Sequence, residues 1–124
     1  NQINETDQVQ LFSGSHGYDD GEQCRDFIFV DDIIDMNLWM MNNPNISGIY
    51  NAGTGVAHSF NEIANTVIKS RKKGKIKYIP FPKELEECYQ SFTQANLKNL
   101  RSVGYKKEFT SLSKGVNAYL DEIC

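Results

Sequence analysis

Short apolar runs separated by polar turns mark four segments of the chain as strands. Residues 9–12 read Val-Gln-Leu-Phe and are followed by Ser-Gly-Ser, a pattern that predicts a short strand and a turn. Residues 27–30 read Phe-Ile-Phe-Val, a continuous apolar run typical of a strand buried on both faces. The same signal predicts strands over residues 49–52 and 76–79.

Four further segments place apolar residues on a helical period: residues 32–41, 60–73, 97–103 and 112–123. The first is apolar on nearly every side, which predicts a helix sandwiched between other elements, with Asp31 as its N-cap. The second begins with the capping-box pair Ser59 and Glu62 and ends at Gly74, so it is the most clearly specified element. The third is predicted to begin after a cap at Asn96.

The predicted order is strand, strand, helix, strand, helix, strand, helix, helix. Such alternation favours an α/β fold. We expect one domain over residues 9–124, preceded by a polar segment over residues 1–8. Because the chain opens on Asn1, without Met, and continues with a polar run, we expect it to be a piece of a longer protein.

Composition narrows the classes of partner. The 124 residues are 40% hydrophobic and 23% charged, as in an ordinary globular domain. The net charge of -3 lacks the basic footprint of nucleic-acid binding. With no apolar run of about 20 residues and no apolar leader, the sequence predicts no membrane partner and a cytoplasmic location. The three cysteines show no metal-ligand spacing, so no metal is expected.

Motifs that carry catalysis are missing from the sequence. It contains no Gly-x-Gly-x-x-Gly loop, no phosphate-binding Walker loop and no tyrosine followed four residues later by lysine. His16 and His58 have no nucleophile at a meaningful spacing. We therefore expect both histidines to be solvated or locally bonded, and we predict no catalytic residue and no cofactor-binding residue in this chain.

Arg25 is the first of the binding-type features. It directly precedes an apolar run, where a guanidinium can offer a planar, bidentate fork to a phosphate or carboxylate. The alternative is an ion pair with a neighbouring acid, and Asp26, Asp31 and Asp32 are all within reach.

Three other segments allow both a binding and a purely structural interpretation. Phe12, Ser13, Gly14 and Ser15 could set an aromatic face and small donors beside a ligand, or form only a strand-to-turn junction. Tyr89 lies in a stretch rich in hydrogen-bonding side chains and could also pack in the core. The turn at residues 53–55 could present backbone amides to an anion, or be only a tight turn.

Several motifs together resemble the C-terminal part of extended short-chain dehydrogenase/reductases. The run Arg-Asp-Phe-Ile-Phe-Val-Asp-Asp at residues 25–32 and the Asn-Ala-Gly-Thr-Gly turn at 51–55 are similar to those of many nucleotide-sugar epimerases and dehydratases. Ile-Pro-Phe-Pro at 79–82 and Tyr-Gln-Ser-Phe-Thr-Gln at 89–94 look more specifically like the ADP-glyceromanno-heptose 6-epimerase family, bacterial enzymes that prepare heptose for the lipopolysaccharide core. The resemblance covers residues 9–120.

This resemblance implies the substrate-binding part of a Rossmann-like α/β enzyme whose N-terminal nucleotide-binding domain is absent. The family inverts carbon 6 of ADP-heptose by NADP-dependent oxidation and re-reduction, and the NADP site belongs mainly to the missing domain. Its substrate contacts fall on Phe12, Ser13, Gly14 and Ser15, on Arg25 as a diphosphate clamp, and on Tyr89. The full-length protein is expected to bind an ADP-sugar and to form a homo-oligomer, and this chain alone is expected to be inactive.

Two alternatives stay open. The parent protein could be another nucleotide-sugar epimerase or dehydratase on the same scaffold. The chain could also be a binding or assembly module without any catalytic partner.

Overall fold

The structure is a computed structural model that describes residues 2–123. Its helices are α1 (Gln2–Thr6), α2 (Val30–Met41), α3 (Phe60–Arg71), α4 (Lys98–Ser102) and α5 (Leu112–Glu122), with one 3-10 turn at Lys83–Leu85. Its strands are β1 (Gln8–Phe12), β2 (Cys24–Arg25), β3 (His58–Ser59) and β4 (Lys75–Ile79). The fold is α/β, as predicted.

The strands form two separate pairs. β1 runs parallel to β4, with Phe12 opposite Ile79 at the end of the ladder. β2 runs antiparallel to β3, with Arg25 opposite His58. Because parallel strands end at the same edge, the segments that follow β1 and β4 leave the sheet side by side.

The helix α3 confirms the clearest sequence prediction. The Ser59 hydroxyl accepts the Glu62 amide at 3.2 Å, and the Glu62 carboxylate accepts the Ser59 amide at 2.8 Å. Both halves of the capping box are therefore formed. The helix ends slightly early, at Arg71, because Lys72 is left-handed with φ 54° and Gly74 follows with φ 102°.

The main core lies between α2, α4 and the segment after α4. Met36, Leu100 and Tyr105 are its buried centre, and the Trp39 ring meets the Tyr105 ring edge-on at 5.2 Å. A second packing surface joins α3 to α5, where Ala64 and Leu120 are buried. The strands predicted at 9–12 and 76–79 and the helix predicted at 112–123 are confirmed as β1, β4 and α5.

Two predicted strands are wrong. Residues 27–29 are irregular, and Val30 already belongs to α2. Their rings are used for packing instead: the Phe27 ring meets the Phe60 ring at 5.5 Å, and Phe29 lies against Gly115. Residues 49–52 also have no ladder partner within residues 2–123, and Ile49 is 94% exposed.

The prediction for α2 needs two corrections. Its N-cap is Phe29, with an extended backbone, so Asp31 lies in the first turn and is not the cap. The helix is also not sandwiched, because Ile34, Leu38 and Met41 are 49%, 50% and 75% exposed. An apolar composition indicates what a helix can bury, not whether the neighbouring elements of this chain reach every side of it.

Smaller differences concern α4 and the first residues. α4 follows Leu97 as its N-cap, although the Asn96 side chain still accepts the Lys98 amide at 3.0 Å. The segment predicted to be merely polar contains the helix α1, whose apolar residue Ile3 is buried. The domain boundary at residue 9 stays a prediction. Within residues 2–123, no helix has the length and apolarity that crossing a membrane requires.

Candidate functional site

An aromatic cluster forms where the ends of β1 and β4 meet the segment after the 3-10 turn. The Phe12 ring lies 5.4 Å from the Phe81 ring and 6.4 Å from the Tyr89 ring, both edge-on. Phe81 and Tyr89 are 5.0 Å apart. The parallel register explains this placement, because it sets Phe12 beside Ile79 and therefore close to Phe81, two residues further on.

Arg25 extends the cluster with a positive charge. Its guanidinium carbon lies 4.9 Å from the Tyr89 ring centre and 5.9 Å from that of Phe60, a distance at which a cation is attracted to the ring face. The pairing of β2 with β3 at the start of α3 brings Phe60 there. The structure thus unites three predicted site residues, Phe12, Arg25 and Tyr89.

The ion-pair interpretation of Arg25 is not supported by the described residues. Within residues 2–123, no ion pair joins Arg25 to an acid, and one guanidinium nitrogen donates to the Cys24 carbonyl at 3.0 Å. Asp32, one of the three acids nearby, is used elsewhere, because it accepts the Thr110 amide and hydroxyl at 2.7 Å and 3.0 Å. Apart from the bond to Cys24, no hydrogen bond or ion pair involves the Arg25 guanidinium among residues 2–123.

The carboxylate of Asp26 binds backbone and side-chain donors of two distant segments of the protein itself. One oxygen accepts the Thr54 amide and hydroxyl at 2.7 Å and 2.6 Å, and the other accepts the amides of Gly55 and Ala95 at 2.8 Å and 2.9 Å. Burial alone would raise the pKa of Asp26, but these hydrogen bonds outweigh it and hold the pKa below the ordinary value. The turn at 53–55 does present amides to an anion, but this anion is the Asp26 carboxylate of the same chain and not a ligand.

The loop that follows Phe12 is tied to other parts of the chain. Ser13 donates its amide and its hydroxyl to the Ile79 carbonyl, at 2.8 Å and 2.9 Å. The Gly14 amide donates to the carboxylate of Asp20 at 2.7 Å. Ser13 and Gly14 line an open depression with the acidic residues of the loop, Asp19, Asp20 and Glu22. The Gly14 amide is thus already hydrogen-bonded to an acidic side chain and is not free to donate to a phosphate.

Gln23 is a residue of this site that sequence reasoning missed. It is 1% exposed, and its side-chain amide donates to the Ser13 carbonyl at 3.1 Å and to the Ser15 hydroxyl at 3.2 Å. No apolar pattern or motif marks it in a polar loop. Phe81 was visible only as part of the Ile-Pro-Phe-Pro motif, because its role depends on the pairing of β1 with β4.

Both histidines are locally bonded, as expected. His16 contacts the Glu86 carbonyl through Nε2 at 2.7 Å, and its ring meets the Phe81 ring edge-on at 6.0 Å. His58 lies 3.3 Å from the Glu62 carboxylate. Within residues 2–123, no group of three or more His, Cys, Asp or Glu side chains could hold a metal ion.

A large apolar groove lies away from this cluster. It is lined mostly by aliphatic and aromatic side chains of α3, α5 and the segment before α2, among them Phe29, Val67, Val116 and Ile123. It offers few polar groups to orient a ligand. The polar and charged groups that could do so converge instead around Arg25.

Comparisons with known proteins point to one enzyme family. Residues 1–53 match the family described as NAD dependent epimerase/dehydratase. The chain is 49% identical over 122 residues to ADP-L-glycero-D-manno-heptose-6-epimerase of Alkalilimnicola ehrlichii, with coverage of 98% of this chain and 38% of that protein.

Solved structures agree with this family. The crystal structure of ADP-L-glycero-D-manno-heptose-6-epimerase from Helicobacter pylori superposes with a TM-score of 0.80 and 29% identity, over 98% of this chain and 35% of that one. UDP-glucose 4-epimerase from Thermus thermophilus superposes with a TM-score of 0.74 at 20% identity, over 92% of this chain and 34% of that one, which shows only a shared fold. The chain therefore spans little more than a third of the length of these relatives.

Proposed function

Because this chain is a homologue of ADP-heptose epimerases in the NAD dependent epimerase/dehydratase family, as its motifs predicted, we propose that it is the substrate-binding part of such an epimerase. The full-length protein would invert carbon 6 of ADP-glyceromanno-heptose by oxidation and re-reduction with NADP. The contribution of this chain would be to bind and orient the ADP-sugar.

The observation that carries this proposal is the Arg25 guanidinium, which faces the Tyr89 ring of the aromatic cluster and has no acidic partner in the described chain. A planar guanidinium can make two parallel hydrogen bonds to a diphosphate. The ring edges beside it offer apolar surface to a nucleoside or sugar, and the Tyr89 hydroxyl offers a hydrogen bond. One cation among aromatic rings suits a ligand that is both anionic and partly flat, such as a nucleotide.

Phe12, Ser13, Gly14 and Ser15 would line the nucleotide in this proposal. Phe12 already belongs to the aromatic cluster. Contact between a phosphate and the Gly14 amide requires Asp20 to leave, because Asp20 now accepts that amide. Like charges also repel, so we propose that the acidic loop moves away from this edge when the diphosphate binds.

The described residues of this chain do not fit NADP. A dinucleotide is normally held by a glycine-rich turn whose free amides face its pyrophosphate at a helix N-terminus. The Gly-x-Gly turn here gives the amides of Thr54 and Gly55 to Asp26 instead. We therefore assign the NADP site to the remainder of the full-length protein.

The proposal is tested by incubating the full-length protein with ADP-glyceromanno-heptose and following the configuration at carbon 6 by NMR. We expect inversion that depends on NADP. Equal or faster turnover of a UDP-, dTDP- or GDP-sugar would favour the alternative of another epimerase or dehydratase.

The third possibility, a module without a catalytic partner, is decided by the genomic sequence upstream of Asn1. The proposal expects an in-frame Gly-x-x-Gly-x-x-Gly turn and a Tyr-x-x-x-Lys pair there. A start codon directly before Asn1 would contradict it.

A further inference from the structure

Asp26 joins three separate parts of the chain. Its carboxylate accepts four hydrogen bonds, three from the turn at residues 53–55 and one from Ala95. Its own amide donates to the Thr93 hydroxyl at 3.3 Å. The sequence separations are about thirty and about seventy residues, so these are tertiary contacts.

One of those parts leads directly into the candidate site. The Cys24 amide donates to the Ser91 carbonyl at 2.9 Å, and the Thr93 amide donates to the Cys24 carbonyl at 3.2 Å. Residues 91–95 are therefore held along β2 and end at the Asp26 carboxylate. Tyr89 lies two residues before this segment, and its ring faces the Arg25 guanidinium at 4.9 Å.

The turn at 53–55 closes tightly around the same carboxylate. A Cβ added at Gly53 would lie 2.7 Å from the Asp26 carboxylate and 2.5 Å from the Ala95 Cβ, closer than such atoms approach. Only glycine permits this approach. The backbone of this turn therefore packs directly against the Asp26 carboxylate.

The occupied carboxylate also has an electrostatic consequence for its neighbour in sequence. An aspartate adjacent to an arginine is an available ion-pair partner, and such a pair would draw the guanidinium away from a ligand. Here both carboxylate oxygens of Asp26 already accept two hydrogen bonds each. Asp26 thus fixes the backbone around Arg25 without neutralising it.

We propose that Asp26 is a positioning residue of the substrate site: it ties residues 53–55 and 93–95 to β2, and so holds Arg25 and Tyr89 in register for an anionic ligand. This inference rests on the proposed function, because it assumes that Arg25 and Tyr89 bind the nucleotide. Asp26 itself does not touch the ligand in this proposal.

The test measures ADP binding to the full-length protein by calorimetry, in four variants beside the wild type: Asp26→Asn, Arg25→Lys, the double variant, and Asp32→Asn. Asn in place of Asp26 turns one acceptor oxygen into an NH2 group, which cannot accept the two hydrogen bonds that converge on that oxygen. We expect about a tenfold loss of ADP affinity, as for the loss of one charge-assisted hydrogen bond. The double variant should bind about as weakly as Arg25→Lys alone, because Asp26 contributes to binding by placing the guanidinium that Arg25→Lys removes.

Asp32→Asn is the matched control. Asp32 is a buried carboxylate that, like the half-buried Asp26, accepts a threonine amide and hydroxyl, but that threonine is Thr110, outside the aromatic cluster. This variant should lower the unfolding temperature without changing ADP affinity by more than about twofold. A general loss of stability would not produce the non-additivity expected between Asp26 and Arg25.

The outcomes separate the two ideas. ADP binding in Asp26→Asn that stays within about twofold of wild type, while Arg25→Lys is impaired, overturns the inference and leaves the proposed function standing. Wild-type protein that does not bind ADP overturns both. If Asp26→Asn does not fold, Thr54→Val decides, because it keeps the amide contacts to Asp26 and removes the hydroxyl contacts to Asp26 and to Val56 within the turn. Weakened ADP binding supports the inference, and unchanged binding overturns it.

Discussion

Arg25 shows that the neighbours of a residue in sequence need not be its partners in space. Three acids follow it within seven residues, yet its guanidinium faces the rings of Tyr89 and Phe60. Two of these acids, Asp26 and Asp32, instead accept backbone amides of distant segments. A carboxylate gains more from several fixed donors than from one solvated cation.

We predict that Arg25→Lys weakens binding of ADP-sugar to the full-length protein by roughly 1.5–3 kcal/mol, because lysine keeps the charge but loses the planar fork. Isothermal titration calorimetry and the Michaelis constant both report this change. Arg101→Lys is the control, since Arg101 also faces two rings but donates to the carbonyls of Tyr105 and Lys107. Unchanged affinity and turnover in Arg25→Lys would return Arg25 to a structural role.

Asp26 should also be visible in the pH dependence of stability. Its pKa in the folded chain lies below the ordinary 3.8, because the hydrogen bonds to its charged form outweigh burial. The charged carboxylate therefore stabilises the fold above pH 3.8, and this contribution is lost as the pH falls from 3.8 through the folded-state pKa. Carboxyl NMR titration of Asp26 should give a midpoint below 3.8, and Thr54→Val should move it upward. A midpoint at or above 3.8 would contradict this account.

At the scale of elements, the helices were more predictable from sequence than the strands. The capping box and apolar period that specify α3 act within a few residues, so the sequence contains the whole signal. A strand forms only if another segment offers a backbone to pair with. Residues 9–12 and 76–79 find each other, whereas residues 49–52 find no such neighbour among residues 2–123.

The candidate site follows the same rule. The side chains of Arg25, Phe12 and Tyr89 and the family resemblance identified these residues as candidate ligand contacts, and the structure brings them together. Gln23 was not identifiable, because its burial depends on how the loop folds back on β1. The site is built by contacts between segments that are distant in sequence, and such contacts produce no periodic pattern from which they could be predicted.

The capping box of α3 gives a prediction at this scale. Ser59→Ala removes the acceptor of the Glu62 amide and should cost about 1 kcal/mol of local stability. Hydrogen exchange of the first turn of α3 in the full-length protein should accelerate about fivefold. Ser70→Ala, an exposed position near the end of the same helix, should leave that exchange unchanged. Equal exchange in Ser59→Ala would mean that tertiary packing alone holds the helix start.

At the scale of the whole molecule, one side of the chain is covered by nothing that the structure describes. Val30, Ile34 and Leu38 on α2 are 57%, 49% and 50% exposed, at successive turns of one helix, and Met41 is 75% exposed. Ile49, in the segment that fails to form a strand, is 94% exposed. Apolar exposure on this scale favours association.

We therefore predict that the 124-residue chain on its own associates with itself at high concentration. A strand over residues 49–52, as the sequence predicts, would offer an open edge for such association. The structure instead points to apolar side chains on α2 and at Ile49. Leu38→Lys should shift the mass measured by light scattering towards the monomer, whereas Asn45→Lys, with the same added charge on an exposed polar loop, should not. A strictly monomeric wild-type chain at high concentration would contradict this prediction.

The same chain should bind a nucleotide weakly and catalyse nothing. It carries Arg25, Phe12 and Tyr89 in one cluster, but it offers no free glycine-rich turn to a dinucleotide, since Asp26 occupies the amides of the turn at 53–55. Binding also has to move the acidic loop and displace Asp20 from the Gly14 amide, which lowers affinity. We expect at best millimolar affinity for ADP or ADP-heptose, about 4 kcal/mol, and none for NADP.

Amide NMR shifts during a titration should cluster at residues 12–15, Arg25 and Tyr89. Saturable NADP binding, or epimerisation by the chain alone, would show that the division of labour proposed between this chain and the rest of the protein is wrong.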